Sequence, residues 1–394
     1  MRIGIDCRTI LSPSRGEKAG IGHYTYYLVN CLLKIDKANE YVLFFDYRVP
    51  DVREFEQKNV KAKYFPFSQY KKFLPFTYSH MLIAARLARE KLDVYHSPAN
   101  VIPYLYSGPS IVTVHDLAIY KNPDWFPSGQ KFSTKFLVPK SLRKAKRIIA
   151  VSEATKKDII KLFKIPASKI TVIHEGVVVK KLEVRTKDIK AKDRYNLSDK
   201  YICFVGTLEP RKNVLRLIEA YADFLKKSKK FQEYDLVIAG TRGWRSREIF
   251  NLIKRLKLKD KVKYLDYIPN NLKLDLIENA TCFVFPSLYE GFGLPVLEAM
   301  KLGTPVITSN VSSLPEITNS AAILVNPCKA SEIAKALEKV IKNKPLREKL
   351  KKAGLEQAKK FDWEKFARKT LSVYKEVYSQ IQKDKKQKAK KVKK

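Results

Sequence analysis

Short apolar runs rich in β-branched residues alternate with helical patterns along most of this chain, and the series is interrupted once. In the first half Arg2–Ile10, Tyr41–Phe45, Val94–Ser97, Ile111–Val114, Ile148–Val151 and Thr171–Ile173 read as strands. Ile21–Leu33, Tyr78–Arg89, Lys131–Arg143 and Glu153–Phe163 read as helices between them. From Val179 to Lys200 the chain turns polar and charged with no strong period. A second series then begins at Tyr201, with strands at Tyr201–Thr207, Leu236–Ala239, Val262–Leu265, Cys282–Pro286, Pro305–Thr308 and Ala322–Val325. Parallel neighbours need a crossover between them, so the alternation predicts an α/β fold with parallel sheets. We expect two Rossmann-like domains, 1–178 and 201–360, joined by a linker over 179–200. A last helix lies within 361–380, and a lysine-rich tail over 381–394 is expected to be disordered. Ligands of open parallel sheets bind beyond the carboxyl ends of the strands. Two such domains facing each other would enclose a cleft, and their post-strand loops should carry the chemistry.

Composition narrows the classes. Apolar residues make up 45% of the 394, enough for large cores. No run of about 18 apolar residues occurs, so no spanning helix is expected. The first ten residues read as a buried strand and not as a secretory signal. Cys7, Cys31, Cys203, Cys282 and Cys328 are odd in number, scattered, and without Cys-x-x-Cys spacing. Reduced thiols in a cytoplasmic protein follow, and no metal site. The net charge of +38 is spread over both halves and would attract polyanions or an anionic membrane.

Four segments carry chemistry. Glu290-Gly291-Phe292-Gly293-Leu294-Pro295-Val296-Leu297-Glu298 places two carboxylates on either side of a glycine turn that feeds a helix. Pro295 suits a first helical turn, and Gly303 a helix end. A helix N-terminus favours a phosphate, and carboxylates accept from sugar hydroxyls, so the segment suggests a nucleotide sugar. Arg211 and Lys212 follow the first strand of the second series, just before Asn213, a candidate N-cap. Two cations at a helix start oppose its dipole, a conflict that a bound diphosphate would relieve. In the first series Gly20-Ile21-Gly22-His23-Tyr24 follows the first strand, and Gly22 would let a phosphate or sugar approach the backbone. His115 and Asp116 end a strand and could polarise or position sugar and acceptor hydroxyls.

Taken in this order, with Val151-Ser152-Glu153-Ala154-Thr155 between them, these motifs resemble the family 4 glycosyltransferases over nearly the whole chain. The resemblance implies the GT-B fold, with the final helix crossing back to the first domain. It implies a retaining transferase that moves a hexose from a nucleotide diphosphate to an acceptor hydroxyl, with GDP-mannose the first choice of donor. Arg211 and Lys212 would hold the diphosphate, Glu290 the donor sugar and Glu298 the ribose diol. Gly291, Phe292, Gly293 and Leu294 would line the donor with backbone N–H groups. Ile268 would meet the base, Gly22 would lie near the phosphates, and His115 near sugar and acceptor. Some members carry an Arg where this chain has Thr207, which leaves one fewer charge on the diphosphate.

No Asp-x-Asp occurs in the sequence, so metal-independent transfer without a cofactor is expected, with fixed cations stabilising the leaving group. Two stretches, Gln57–Arg89 and Trp125–Ser152, hold basic residues and no acidic ones, and aromatics from Tyr64 to Tyr78 interleave the first. Cations with aromatics fit docking on an anionic membrane, where a lipid-linked or polysaccharide acceptor would be reached. No specific nucleic-acid partner is expected. The competing readings are a sugar-nucleotide epimerase of the same fold and a non-enzymatic polyanion-binding protein.

Overall fold

A computed structural model of the chain describes residues 1–11, 20–49, 51–65, 76–179 and 190–392, with no side-chain description for 76–80, 128–133 and 391–392. The described chain forms two units. One holds Met1–Tyr120, Ser128–Gly176 and the stretch from Asp362, and the other holds Lys121–Pro127 and Val177–Phe361.

The first unit is built on seven strands: β1 (Arg2–Asp6), β2 (Glu40–Asp46), β3 (Val60–Phe65), β4 (Val94–Ser97), β5 (Ser110–Val114), β6 (Arg147–Ala150) and β7 (Ile170–Val172). They lie in the order β3-β2-β1-β4-β5-β6-β7, every pair parallel. Helices cover parallel strands on both faces, so the central ones are buried along their whole length, as in β5, where even Ser110 and Thr113 are enclosed. The strand order reverses between β1 and β4, which makes the loops after these strands the natural ligand crevice. Edge strand β3 is an addition to the expected set. Its Lys61 and Lys63 alternate with apolar residues, a charged pattern that suits a sheet edge.

The second unit has β8 (Tyr201–Val205), β9 (Asp235–Ala239), β10 (Val262–Tyr264), β11 (Cys282–Phe285), β12 (Val306–Ser309) and β13 (Ile323–Val325). Their order is β10-β9-β8-β11-β12-β13, again parallel throughout, with the reversal between β8 and β11. Of the expected linker, residues 180–189 lie outside the described residues. Beyond them a short helix, Ala191–Arg194, is tied to this unit by a hydrogen bond from the Ala191 N–H to Asp275 Oδ2 at 2.7 Å.

The last helix, Trp363–Val392, packs in the first unit against helix Gly20–Ile35. Trp363 stacks on Tyr27 with ring centroids 5.1 Å apart, and Phe366 meets Tyr24 edge-on at the same separation. Gly176 allows the close approach, since a Cβ there would lie 2.5 Å from the Trp363 backbone nitrogen. A buried polar chain adds to this packing: Tyr374 OH to His96 Nδ1 at 2.6 Å, His96 Nε2 to Thr113 Oγ1 at 2.8 Å, and Thr113 Oγ1 to Tyr24 OH at 3.0 Å. The tail expected to be disordered from 381 is instead helical as far as Val392. Lysine, alanine and glutamine are good helix formers, so a formed helix extends through them despite their charge. All five cysteines are free thiols, with Cys7, Cys203 and Cys282 buried. Among the described residues no helix is long and apolar enough to cross a membrane.

Candidate active site

In the second unit, the loops after β8 and β11 leave the sheet at its reversal point and meet. The loop after β8 runs through Gly206 and Thr207 into a 3₁₀ turn, Pro210–Lys212, ahead of helix Val214–Lys226. Arg211 and Lys212 therefore stand at the helix entrance, and both reach Glu290 in the loop after β11. Lys212 Nζ is 2.6 Å from Glu290 Oε1, and Arg211 Nη1 is 3.1 Å from Oε2. Arg211 Nε also donates to Glu209 at 3.1 Å. The anion between the two cations is thus a carboxylate of the chain itself. Burial opposes charge on Glu290, but Lys212 and Arg211 outweigh it and hold the carboxyl below its usual range.

Asn213 does not cap with its side chain. It takes a left-handed backbone (φ 60°), and its amide donates to the carbonyls of Pro286 at 3.0 Å and Pro327 at 2.7 Å. It joins the cation turn to the loop after β11.

The turn after Glu290 is held from the far side by two serines that sequence reasoning missed. Ser312 Oγ accepts the Glu290 N–H at 3.0 Å, and Ser313 Oγ lies 3.0 Å from the carbonyl of Glu290 and 2.6 Å from that of Phe292. Gly291 and Phe292 are buried in this turn. Gly293 carries φ +112°, and a Cβ on it would fall 2.8 Å from Leu314, so only glycine suits the position. Helix Leu294–Lys301 starts directly after it, with Pro295 in the first turn and Gly303 (φ +77°) just past its end. Both glutamates are buried. Glu298 does not stand open, because Lys273 Nζ donates to both of its oxygens, at 2.7 and 2.9 Å. Ile268, also buried, lies between β10 and helix Asn270–Glu278, which carries Lys273.

In the first unit, His115 leaves the end of β5. Its Nε2 lies 2.7 Å from the Pro98 carbonyl, which only accepts, so this nitrogen bears the proton. Its Nδ1 is 3.5 Å from Oε1 of Glu175, a buried carboxylate in the loop after β7 that sequence reasoning also missed. Tyr24 meets the imidazole edge-on at 4.6 Å. That contact ties His115 to helix Gly20–Ile35, where Gly22 sits in the first turn and the left-handed residue is Gly20 (φ +64°). Asp116 accepts the Ala118 N–H at 3.1 Å, a capping role for the short helix Ala118–Lys121.

A third feature lies elsewhere on this unit. Tyr104, Leu105 and Phe136 are about half exposed. Lys140 Nζ sits 3.7 Å from the Phe136 ring centroid and 4.6 Å from that of Tyr104. Beside them Ile102, Tyr104, Leu137, Lys140, Arg143 and Lys144 line a cavity of about 500 Å³. In the Gln57–Arg89 stretch Tyr64 is exposed and Phe65 buried, while Phe67, Tyr70 and Phe73 lie outside the described residues.

The chain resembles known proteins over most of its length. Residues 19–181 match the model of Glycosyltransferase Family 4, and residues 185–357 that of Glycosyl transferases group 1. The chain is 31% identical over 374 residues to O-antigen chain mannosyltransferase B of Escherichia coli, an alignment covering 92% of this chain and 97% of that one. Among solved structures it is similar to the sucrose-phosphate synthase (tll1590) of Thermosynechococcus elongatus, with TM-score 0.76 and 21% identity over 96% of this chain and 99% of the other. It is also similar to Anabaena Alr3699/HepE in complex with UDP and glucose, with TM-score 0.70 and 18% identity over 94% and 98%. The chain belongs to the family 4, group 1 glycosyltransferases. It is a glycosyltransferase of GT-B fold.

Proposed function

We propose that this enzyme transfers mannose from GDP-mannose, with retention and without a bound metal, to a hydroxyl of a lipid-linked or polysaccharide acceptor. The reading rests on the convergence of Arg211, Lys212 and Glu290 at the reversal point of the second sheet. Arg211 and Lys212 bind the diphosphate and stabilise the negative charge that grows on it as the glycosidic C–O bond breaks. Glu290, already aligned by both cations, accepts from donor-sugar hydroxyls. Glu298 takes the ribose diol, Ile268 lies against the base, and the first-turn N–H groups beyond Gly293 face the donor. His115 orients sugar or acceptor hydroxyls through Nδ1, since Nε2 is committed to Pro98. The acceptor oxygen attacks the anomeric carbon on the face the diphosphate leaves, and a leaving phosphate oxygen takes the acceptor proton. The name of the Escherichia coli relative supports mannose, and the absence of Asp-x-Asp from the sequence supports metal independence.

Lys140 over two exposed rings, with Arg143 and Lys144 alongside, favours peripheral docking on an anionic cytoplasmic membrane face.

The test is turnover of GDP-mannose with a mannosylated lipid acceptor, with and without chelator, and NMR of the product anomer. Transfer with retention that survives chelation supports the account. Loss of activity on chelation, or an inverted product, sinks the corresponding part of it. Release of an altered sugar nucleotide without acceptor would identify an epimerase instead.

A further inference from the structure

We propose that Lys273 is a positioning residue for nucleoside recognition, holding the Glu298 carboxylate in the orientation that accepts a ribose cis-diol. This rests on the nucleotide-sugar reading above. One ammonium spans both carboxylate oxygens, at 2.7 and 2.9 Å, which fixes the plane and the rotation of the carboxylate. A carboxylate offers about four lone-pair sites. Lys273 engages each oxygen once, so each keeps a site for one hydroxyl of a vicinal diol.

The surroundings of Lys273 argue for a specific purpose. It stands in the first turn of helix Asn270–Glu278, where a cation opposes the helix dipole. In this lysine-rich chain many lysines lie on the surface, yet its side chain is only 16% exposed. The helix entrance also links two donor-side parts. Ile268 lies five residues before Lys273 on the base-side loop, and Glu298 lies in helix Leu294–Lys301. The ion pair therefore clamps the base-side loop to the ribose-side carboxylate. Without Lys273 a buried carboxylate would lose its cation and turn away, and the diol would lose its acceptor.

The experiment is calorimetric titration with GDP and 2′-deoxy-GDP, and with UDP and 2′-deoxy-UDP as a second pair, using the full chain. The wild type should prefer the ribonucleotide by roughly tenfold. Lys273→Met should weaken ribonucleotide binding by more than tenfold and the deoxynucleotide, which keeps only its 3′-hydroxyl, by clearly less, and so abolish the preference. Lys273→Arg should restore it, and Glu298→Gln combined with Lys273→Met should lose no more than Lys273→Met alone. A purely structural lysine would weaken both nucleotides equally, and that result, or an intact preference, overturns the proposal. A folded wild type that binds no ribonucleoside diphosphate overturns the nucleotide-sugar reading, and the proposal falls with it.

Discussion

Lys212 and Glu290 are 78 positions apart in the chain and meet at 2.6 Å, both side chains about one-tenth exposed. A contact this short between buried charges joins the loops after β8 and β11, and it puts a cation and a carboxylate where a diphosphate and its sugar would meet. Arg211 completes the cluster from the less buried side.

The pair should behave as a buried ion pair in denaturation. Lys212→Met leaves Glu290 with Arg211 alone and should lower unfolding free energy by about 3 kcal/mol. Lys212→Met with Glu290→Leu should recover part of that loss, because no buried charge is left unmatched. Urea unfolding of the three proteins reads both effects, and a double variant less stable than the single one would contradict the pairing.

His96 makes stability sensitive to mild acid. Burial, reinforced by His115, pushes its pKa down to about 3 from the ordinary 6.5. The unfolded chain therefore takes up a proton below about pH 6.5 that the folded chain refuses. Full stability is present above that value and falls as pH drops toward 3, by at most about 1.4 kcal/mol per pH unit. Glu290 is also held below its usual value, but its contribution is lost only beneath about pH 4.5. Between pH 6.5 and 5, replacing His96 with Gln should flatten the thermal-stability profile. An unchanged slope would show that the Tyr374–His96–Thr113 chain does not carry it.

Membrane docking should depend on the cations around the exposed rings. Each Lys or Arg near an anionic surface contributes about 1 kcal/mol. Lys140→Glu and Lys144→Glu together should weaken sedimentation with phosphatidylglycerol vesicles by more than tenfold, with nucleotide binding unchanged. Equal binding of the wild type to neutral vesicles would remove the electrostatic reading.

Sequence pattern revealed most of the elements and few of the partnerships. Buried parallel strands announce themselves as short apolar runs, as Leu236 to Ala239 does in β9, and Gly293, Pro295 and Gly303 mark a helix start and end through backbone rules that hold locally. β3 was hidden because an edge strand exposes half its residues, and here Lys61 and Lys63 masked the alternation. The helical tail was hidden because lysine density reads as solvated charge, whereas the helix Trp363–Val392 begins in a packed aromatic cluster and extends from there. Lys273, Glu175, Ser312 and Ser313 sit in no motif. Each acts through a residue far away in sequence, and only the fold brings them to Glu298, His115 and the turn after Glu290.

The most direct measurement of the central claim is thermal unfolding of the full chain with GDP, UDP and ADP in metal-free buffer. A ligand at about 100 times its dissociation constant stabilises by roughly 2.7 kcal/mol. The account predicts a clear upward shift with one nucleotide, GDP the first choice, which Arg211→Ala and Glu298→Ala remove. No shift with any nucleoside diphosphate, or a shift that survives Arg211→Ala, would contradict it.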